Sequence, residues 1–206
     1  MYLYIVRHGE TFGNLNGDGF AETDLTPDGE EQVRLLGERF KNLRIDKIYT
    51  SPLVRAVKTT NAIVKYHGTT PIYIDSMLFE KGTDPEYCGI GQTELKKLCP
   101  QAVINPISPI GKKETSEDAL LRAREFIKRI KAENPFDSTI MIVAHGTLNN
   151  FLVLAALGFP IKDNFNFSHI NTGVTLVEYL MEGTAERTKL KYLNDACHLF
   201  SDRCAP

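Results

Sequence analysis

The chain has 206 residues, which suits one domain with a core large enough to fold without disulfide staples. It is 42% apolar and 24% charged, as globular proteins are, and its net charge of −2 gives no global field for nucleic acid or an anionic membrane. Any anion it binds must be held by a local cluster of cations. Cys88, Cys99, Cys197 and Cys204 have no Cys-x-x-Cys spacing, which disfavours zinc and thioredoxin-like sites and predicts free thiols in a reducing, cytoplasmic setting. Met1 to Val6 is too short for a secretory core, and Phe151 to Ile161 is about half a membrane span, broken by Gly158; it reads as a buried helix.

No repeat, low-complexity tract or linker divides the chain, so residues 1–206 are expected to form one domain. Tyr2 to Val6 is a β-favouring run that stops at Arg7-His8-Gly9-Glu10. Thr26-Pro27 reads as an N-cap and first-turn proline for a helix to about Asn42, with Val33, Leu36 and Phe40 on one face. Lys47 to Thr50 is a short strand. Ser51-Pro52 repeats the cap signal for a helix carrying Leu53, Val57, Thr60 and Val64 and ending near His67-Gly68. Pro71 to Asp75 is a further strand. Lys81 to Lys113 is irregular, with one helical stretch near Thr93 to Leu98, and residues 80–115 are expected to form a short lid or insert. Ser116 is a candidate cap for a helix presenting Ala119, Ala123, Phe126, Ile127 and Ile130. Thr139 to Ala144 is nearly all apolar, as in strands buried on both faces, and leads through His145-Gly146-Thr147 into an apolar helix to about Leu157. Val174 to Tyr179 and Lys189 to Leu193 are the last strands.

Alternating strands and helices predict a three-layer αβα sandwich around a mostly parallel sheet. Ligands in such folds bind beyond the carboxyl ends of the strands. Three strand ends there would bring together Arg7, His8, Arg55 and His145. This set suits a phosphate monoester. Guanidinium forks match phosphate oxygens, and a neutral imidazole nitrogen can attack phosphorus. Neighbouring arginines keep that imidazole neutral by disfavouring a second positive charge. His145 could bind an oxygen of the transferring group. The leaving alkoxide needs a proton, and Glu80, just past a strand, is the leading donor. A metal site built from His8, His145 and Glu80 is less suitable, because two arginines would repel a divalent cation.

Several motifs resemble those of one family. Arg7-His8-Gly9-Glu10-Thr11 with Asn14 is similar to the signature of the histidine phosphatase superfamily, in its phosphoglycerate mutase-like branch 1. Asp24-Leu25-Thr26-x-x-Gly29-x-x-Gln32, Ser51-Pro52-Leu53-x-Arg55-Ala56-x-x-Thr59, Leu78-x-Glu80, Glu114-Thr115-x-x-Asp118-x-x-x-Arg122, Ala144-His145-Gly146 and Asn194-Asp195-x-x-His198-Leu199 continue the likeness along nearly the whole chain. The resemblance implies a phosphoglycerate mutase-like fold and a phosphohistidine at His8. It implies phosphate binding by Arg7, Asn14, Arg55, His145 and Gly146, with Glu80 as proton donor and later as base. It implies no metal and no organic cofactor. His67, His169 and His198 match no catalytic position and read as structural.

Hydrolysis of a small phosphate ester is the expected activity. The family's cofactor-dependent mutases carry Arg-His-Tyr-Gly after the acid, where this chain has Lys81-Gly82-Thr83-Asp84. Asn150 stands where many members carry Arg. Lys112 and Lys113 could reach a second anionic group. Phosphoglycerate mutase activity is the alternative, and a non-catalytic anion-binding regulator on the same fold comes third. The expected partner is a small-molecule ester, with neither nucleic acid nor membrane; the sequence leaves the substrate and the oligomeric state open.

Overall fold

The computed structural model describes residues 1–17, 22–162 and 166–200. In chain order the elements are β1 (Tyr2–Arg7), α1 (Phe12–Asn16), α2 (Pro27–Phe40), β2 (Lys47–Thr50), α3 (Val54–Val64), β3 (Ile72–Ile74), α4 (Gln92–Leu98), β4 (Val103–Ile104), α5 (Ser116–Glu133), β5 (Thr139–Ala144), α6 (Gly146–Leu157), β6 (Val174–Glu182) and β7 (Ala185–Asp195). Short 3₁₀ turns occupy Ser76–Leu78 and Cys197–Leu199. The strands form one sheet in the order β4-β3-β2-β5-β1-β6-β7. β4 through β1 run parallel, and β6 and β7 are antiparallel additions on the β1 side.

Strand periodicity divides the core in two, because successive side chains point to opposite faces. Leu3, Ile5, Ile140 and Ile142 pack with Phe126 and Ile130 of α5 and Leu148 and Leu152 of α6. Tyr4, Val6, Met141 and Val143 pack with Leu36 and Phe40 of α2 and Val57 and Ile63 of α3. The expected αβα sandwich is therefore present. Phe126 is fully buried and meets the Tyr49 ring edge-on at 5.6 Å. Removing such a ring costs about 3–5 kcal/mol through lost burial and the cavity left behind.

Most expected elements appear within a few residues, and the differences have local causes. The Thr26 hydroxyl caps α2 by accepting from the Gly29 N–H, as read. Thr115, not Ser116, caps α5, because Asp118 lies three residues on and completes a reciprocal capping box. Ser51 is not the cap of α3; Leu53 holds that position, and the Ser51 side chain is engaged elsewhere. The final two strands are longer than expected and form a hairpin whose polar, exposed β7 hid its extent. α1 and β4 were not foreseen, being too short for periodicity to show. In the irregular segment, Leu95 of α4 enters the second core and β4 extends the sheet edge. Cys88 and Cys99 are free thiols, but Cys197 is disulfide-bonded, which corrects the expectation of free thiols throughout; Cys204 lies outside the described residues. Among the described residues, no helix is long and apolar enough to cross a membrane.

Candidate active site

The site is made by register. Arg7 pairs with Ala144, and Thr50 with Val143, so β1, β2 and β5 end side by side. One residue further, His8 and His145 face each other with ring centroids 5.2 Å apart. Arg55, on the first turn of α3, directs Nε to His8 Nε2 at 3.3 Å. Arg7, His8, Asn14, Glu80 and Gly146 share one cavity of about 450 Å³ with Thr147, Asn150, Asn166, Phe167 and His169. His145 and Arg55 stand behind this wall, at 0% and 1% exposure.

Hydrogen bonds settle the state of the imidazoles. His8 Nδ1 lies 2.7 Å from the Gly9 carbonyl, which can only accept, so Nδ1 carries the proton and Nε2 the lone pair. Burial, then Arg55 and Arg7, push the His8 pKa well below its usual 6.5. The ring is neutral at neutral pH, with its Nε2 lone pair directed at Arg55. His145 Nε2 is 2.7 Å from Ser51 Oγ, while its Nδ1 is buried without a partner. Ser51 Oγ accepts from the Leu53 N–H and has one proton that it can donate to Nε2. In the tautomer where Ser51 donates, the His145 proton sits on Nδ1, the nitrogen without a protein partner. Burial, Arg55 and the other nearby cations hold this ring neutral as well.

Glu80 is 6% exposed and reaches the start of α6. Oε1 accepts from the N–H groups of Lys81 and Leu148, both at 2.8 Å, and Oε2 from Thr147 at 3.1 Å. Burial raises its pKa above the usual 4.5, although these bonds pull the other way. Oε2 accepts the single, longer bond and is the oxygen better placed to carry a proton. Asn14 Oδ1 accepts from Thr11 N and Asn171 Nδ2, which leaves its own amide N–H groups as donors. Gly146 packs closely on Arg7: a Cβ there would sit 3.2 Å from Arg7 Nε and crowd that side chain.

The remaining motif residues form the scaffold of this rim. The Glu10 carbonyl and carboxylate bind Thr26, and its N–H is taken by Gln32. Gly29 has no side chain because a Cβ would lie 2.1 Å from the Glu10 carbonyl. Thr59 Oγ1 accepts from the Gly9 N–H and donates to the Arg55 carbonyl, tying the loop after β1 to α3. Behind them Arg39 contacts Asp195 and His198, and His198 reaches Thr172 Oγ1 at 3.0 Å. The Thr172 N–H, held at φ +57°, donates to the carbonyls of Arg7 and His8.

Ser51, Thr172 and Asn171 were invisible to the functional reading because each acts through another residue's geometry. Neither His67 nor His198, both read as structural, lines the cavity, and His198 contacts Arg39 and Thr172 behind the rim. His169 was also read as structural, but it lines the cavity, and its carbonyl accepts from Arg7 Nη1 at 2.6 Å. Lys112 pairs with Asp118, and neither Lys112 nor Lys113 lines the cavity. Among the described residues, no three His, Cys, Asp or Glu side chains are grouped so as to hold a metal ion.

Comparison with known proteins places the chain in a family. Residues 3–195 match the model of the histidine phosphatase superfamily, branch 1. The chain is 33% identical over 203 residues to a Hydrogenobacter thermophilus protein named "Putative phosphoserine phosphatase 2", covering 95% of this chain and 96% of that one. It is 26% identical over 190 residues to a broad-specificity phosphatase of Saccharomyces cerevisiae, covering 87% of this chain and 80% of that one. The crystal structure of phosphoserine phosphatase from Entamoeba histolytica in complex with 3-phosphoglyceric acid superposes with a TM-score of 0.68 at 23% identity, covering 97% of this chain and 99% of that chain. The protein belongs to branch 1 of the histidine phosphatase superfamily.

Proposed function

We propose that the protein is a metal-independent phosphomonoesterase that hydrolyses small phosphate esters through a phosphohistidine at His8. The observation that carries this reading is the convergence of a neutral His8, Arg7, Arg55, His145 and a buried Glu80 at three strand ends. Arg7 and Arg55 bind the phosphoryl oxygens, with Asn14 and the Gly146 backbone beside them. Arg55 turns from His8 Nε2 to the phosphate, which frees the lone pair. Nε2 then attacks phosphorus and the ester oxygen departs with a proton from Glu80 Oε2. His145 Nδ1–H donates to an equatorial oxygen as charge builds in the transition state. Glu80, now a carboxylate, takes a proton from water, which attacks phosphorus and returns His8.

Hydrolysis is favoured over mutase activity by the far side of the cavity. Asn150, Asn166, Phe167 and His169 line it, and Arg7 is the only lysine or arginine among its described lining residues. A mutase must hold the carboxylate of its acid while the phosphoryl group changes oxygens, and this wall offers neutral groups instead. The relatives named for phosphoserine and for broad specificity make small phosphorylated metabolites the substrate class to screen. As a short cover within a single domain, residues 80–115 are supported only at their start, by Glu80 in the cavity and by Tyr87, whose hydroxyl donates to Glu22 at 2.6 Å, while α4 and β4 join the second core and the sheet edge. The near-neutral charge argues for no nucleic-acid or membrane partner. The free thiols of Cys88 and Cys99 support a cytoplasmic setting, and the disulfide at Cys197 stands against it.

Rapid quenching during turnover of p-nitrophenyl phosphate should trap an acid-labile, base-stable phosphoprotein that is absent in His8→Ala. A phosphorylated His8→Ala protein, or activity lost to EDTA and restored by a divalent ion, would reject the reading.

A further inference from the structure

Glu80 follows the Ser76–Leu78 turn directly, and the turn is fastened at both ends by α5. At its start, Asp75 Oδ1 accepts from the Met77 N–H, while Asp75 Oδ2 is held by Arg129 and Asn105. At its end, Arg122 Nη1 donates to the carbonyls of Met77 at 2.6 Å and Phe79 at 3.0 Å. The other edge of the same guanidinium makes a two-point pair with Glu114, Nε and Nη2 each 2.7 Å from a carboxylate oxygen. Their side chains are only 13% and 3% exposed.

Burying such a pair brings little stability, because desolvation offsets the attraction. Its value lies in direction. Glu114 fixes one edge of a planar fork, so the other edge points at two carbonyls, the second of which belongs to the residue before Glu80. The Glu80 side chain is then braced from the far side by the N–H groups of Thr147 and Leu148 at the start of α6. The acid therefore spans two helices, one holding its backbone and the other its carboxylate.

We propose that Arg122 and Glu114 are positioning residues that set the reach of the Glu80 proton donor through the Phe79 carbonyl. The proposal rests on Glu80 being the acid. Proton transfer demands hydrogen-bond distance to the leaving oxygen, so loosening the turn weakens acid catalysis before it weakens phosphate binding.

The test compares kcat/KM for phenyl phosphate, whose leaving group needs a proton, with that for p-nitrophenyl phosphate, whose leaving group departs readily without one. This constant reports only the steps through phosphorylation of His8. Glu80→Gln is measured first and should lose far more on phenyl phosphate. The double variant Arg122→Met with Glu114→Gln removes the clamp without stranding a buried charge. It should lose about tenfold more on phenyl phosphate than on p-nitrophenyl phosphate, a fraction of the whole effect of a general acid. Arg122→Lys, which remains cationic but cannot form the fork, should fall between wild type and the double variant. Equal losses on both esters, or no loss on either, would overturn the clamp while leaving Glu80 as the acid. Equal losses in Glu80→Gln itself would remove both readings.

Discussion

The two ends of the same parallel strands have been built to opposite rules. At the amino-terminal end, charged groups find partners within the protein, although His67 Nε2 there is buried without one. The Met1 ammonium donates to the carbonyls of Phe136 and Tyr179. Asp46 takes the Thr139 N–H on one oxygen and Arg44 on the other. At the carboxyl-terminal end, Arg7 Nε and His145 Nδ1 are buried without partners, and cations lie beside neutral imidazoles. Unpaired buried donors are destabilising, at about 1–3 kcal/mol each. One end is optimised for stability, and the other holds donors that a phosphate dianion would satisfy.

That contrast can be broken most severely at His8. His8→Ala should lower kcat for aryl phosphates by about 10⁴-fold or more, the scale of removing a nucleophile. Substantial residual turnover in the purified variant would remove His8 from the chemistry. Arg7→Ala should cost about 10² to 10³ in kcat/KM, as losing a charged donor to the transition state does. A change confined to thermal stability would mean that Arg7 only supports the rim.

Acid should weaken the fold through this same end. Burial first, then neighbouring arginines, lower the pKa values of His8 and His145 well below 6.5, and burial first brings His169 and His198 to about 4. The unfolded chain takes up protons at these groups near 6.5 while the folded chain does not. Stability is therefore intact above that pH and falls below it, each imidazole costing about 1.4 kcal/mol per pH unit until its folded value is reached. Glu80, with its raised pKa, opposes this trend only near and above 4.5. The urea midpoint should drop clearly between pH 7 and pH 5; a flat profile would show that the rim is not desolvated. The smallest effect belongs to the opposite end. Asp46→Ala should cost about 1–2 kcal/mol in unfolding free energy for the lost bonds, with kcat/KM kept within about twofold. A large loss of activity there would join the two ends and undo the contrast.

Much of the site was legible because its chemistry needs particular side chains at strand ends. Arg7, His8, Arg55 and His145 could be chosen from alternation of strand and helix alone, and the register of β1, β2 and β5 brings them together. Glu80 was harder, since it follows a short turn in an irregular stretch whose path depends on α5 and α6. Ser51 was misread as a cap because Ser-Pro before an apolar helix has that appearance, yet its hydroxyl serves His145. His169 was set aside because no local pattern reveals that its carbonyl meets Arg7 across 162 residues.

The sequence by itself determined the αβα class, the main helices and strands, and the candidate residues that the fold brings together, since hydrophobic period and residue chemistry are local properties. Only the tertiary structure decided which nitrogen of His8 carries its proton, which oxygen of Glu80 accepts the single, longer bond, and which arginine faces the cavity and which braces the turn. Those are set by hydrogen bonds between residues far apart in the chain, such as Glu80 with Leu148 and Arg122 with Phe79. A one-dimensional pattern carries no record of such distances. The histidine picked out at a strand end, and proposed above as the nucleophile, has in the folded chain its Nε2 lone pair held in place by the bond of Nδ1 to the Gly9 carbonyl.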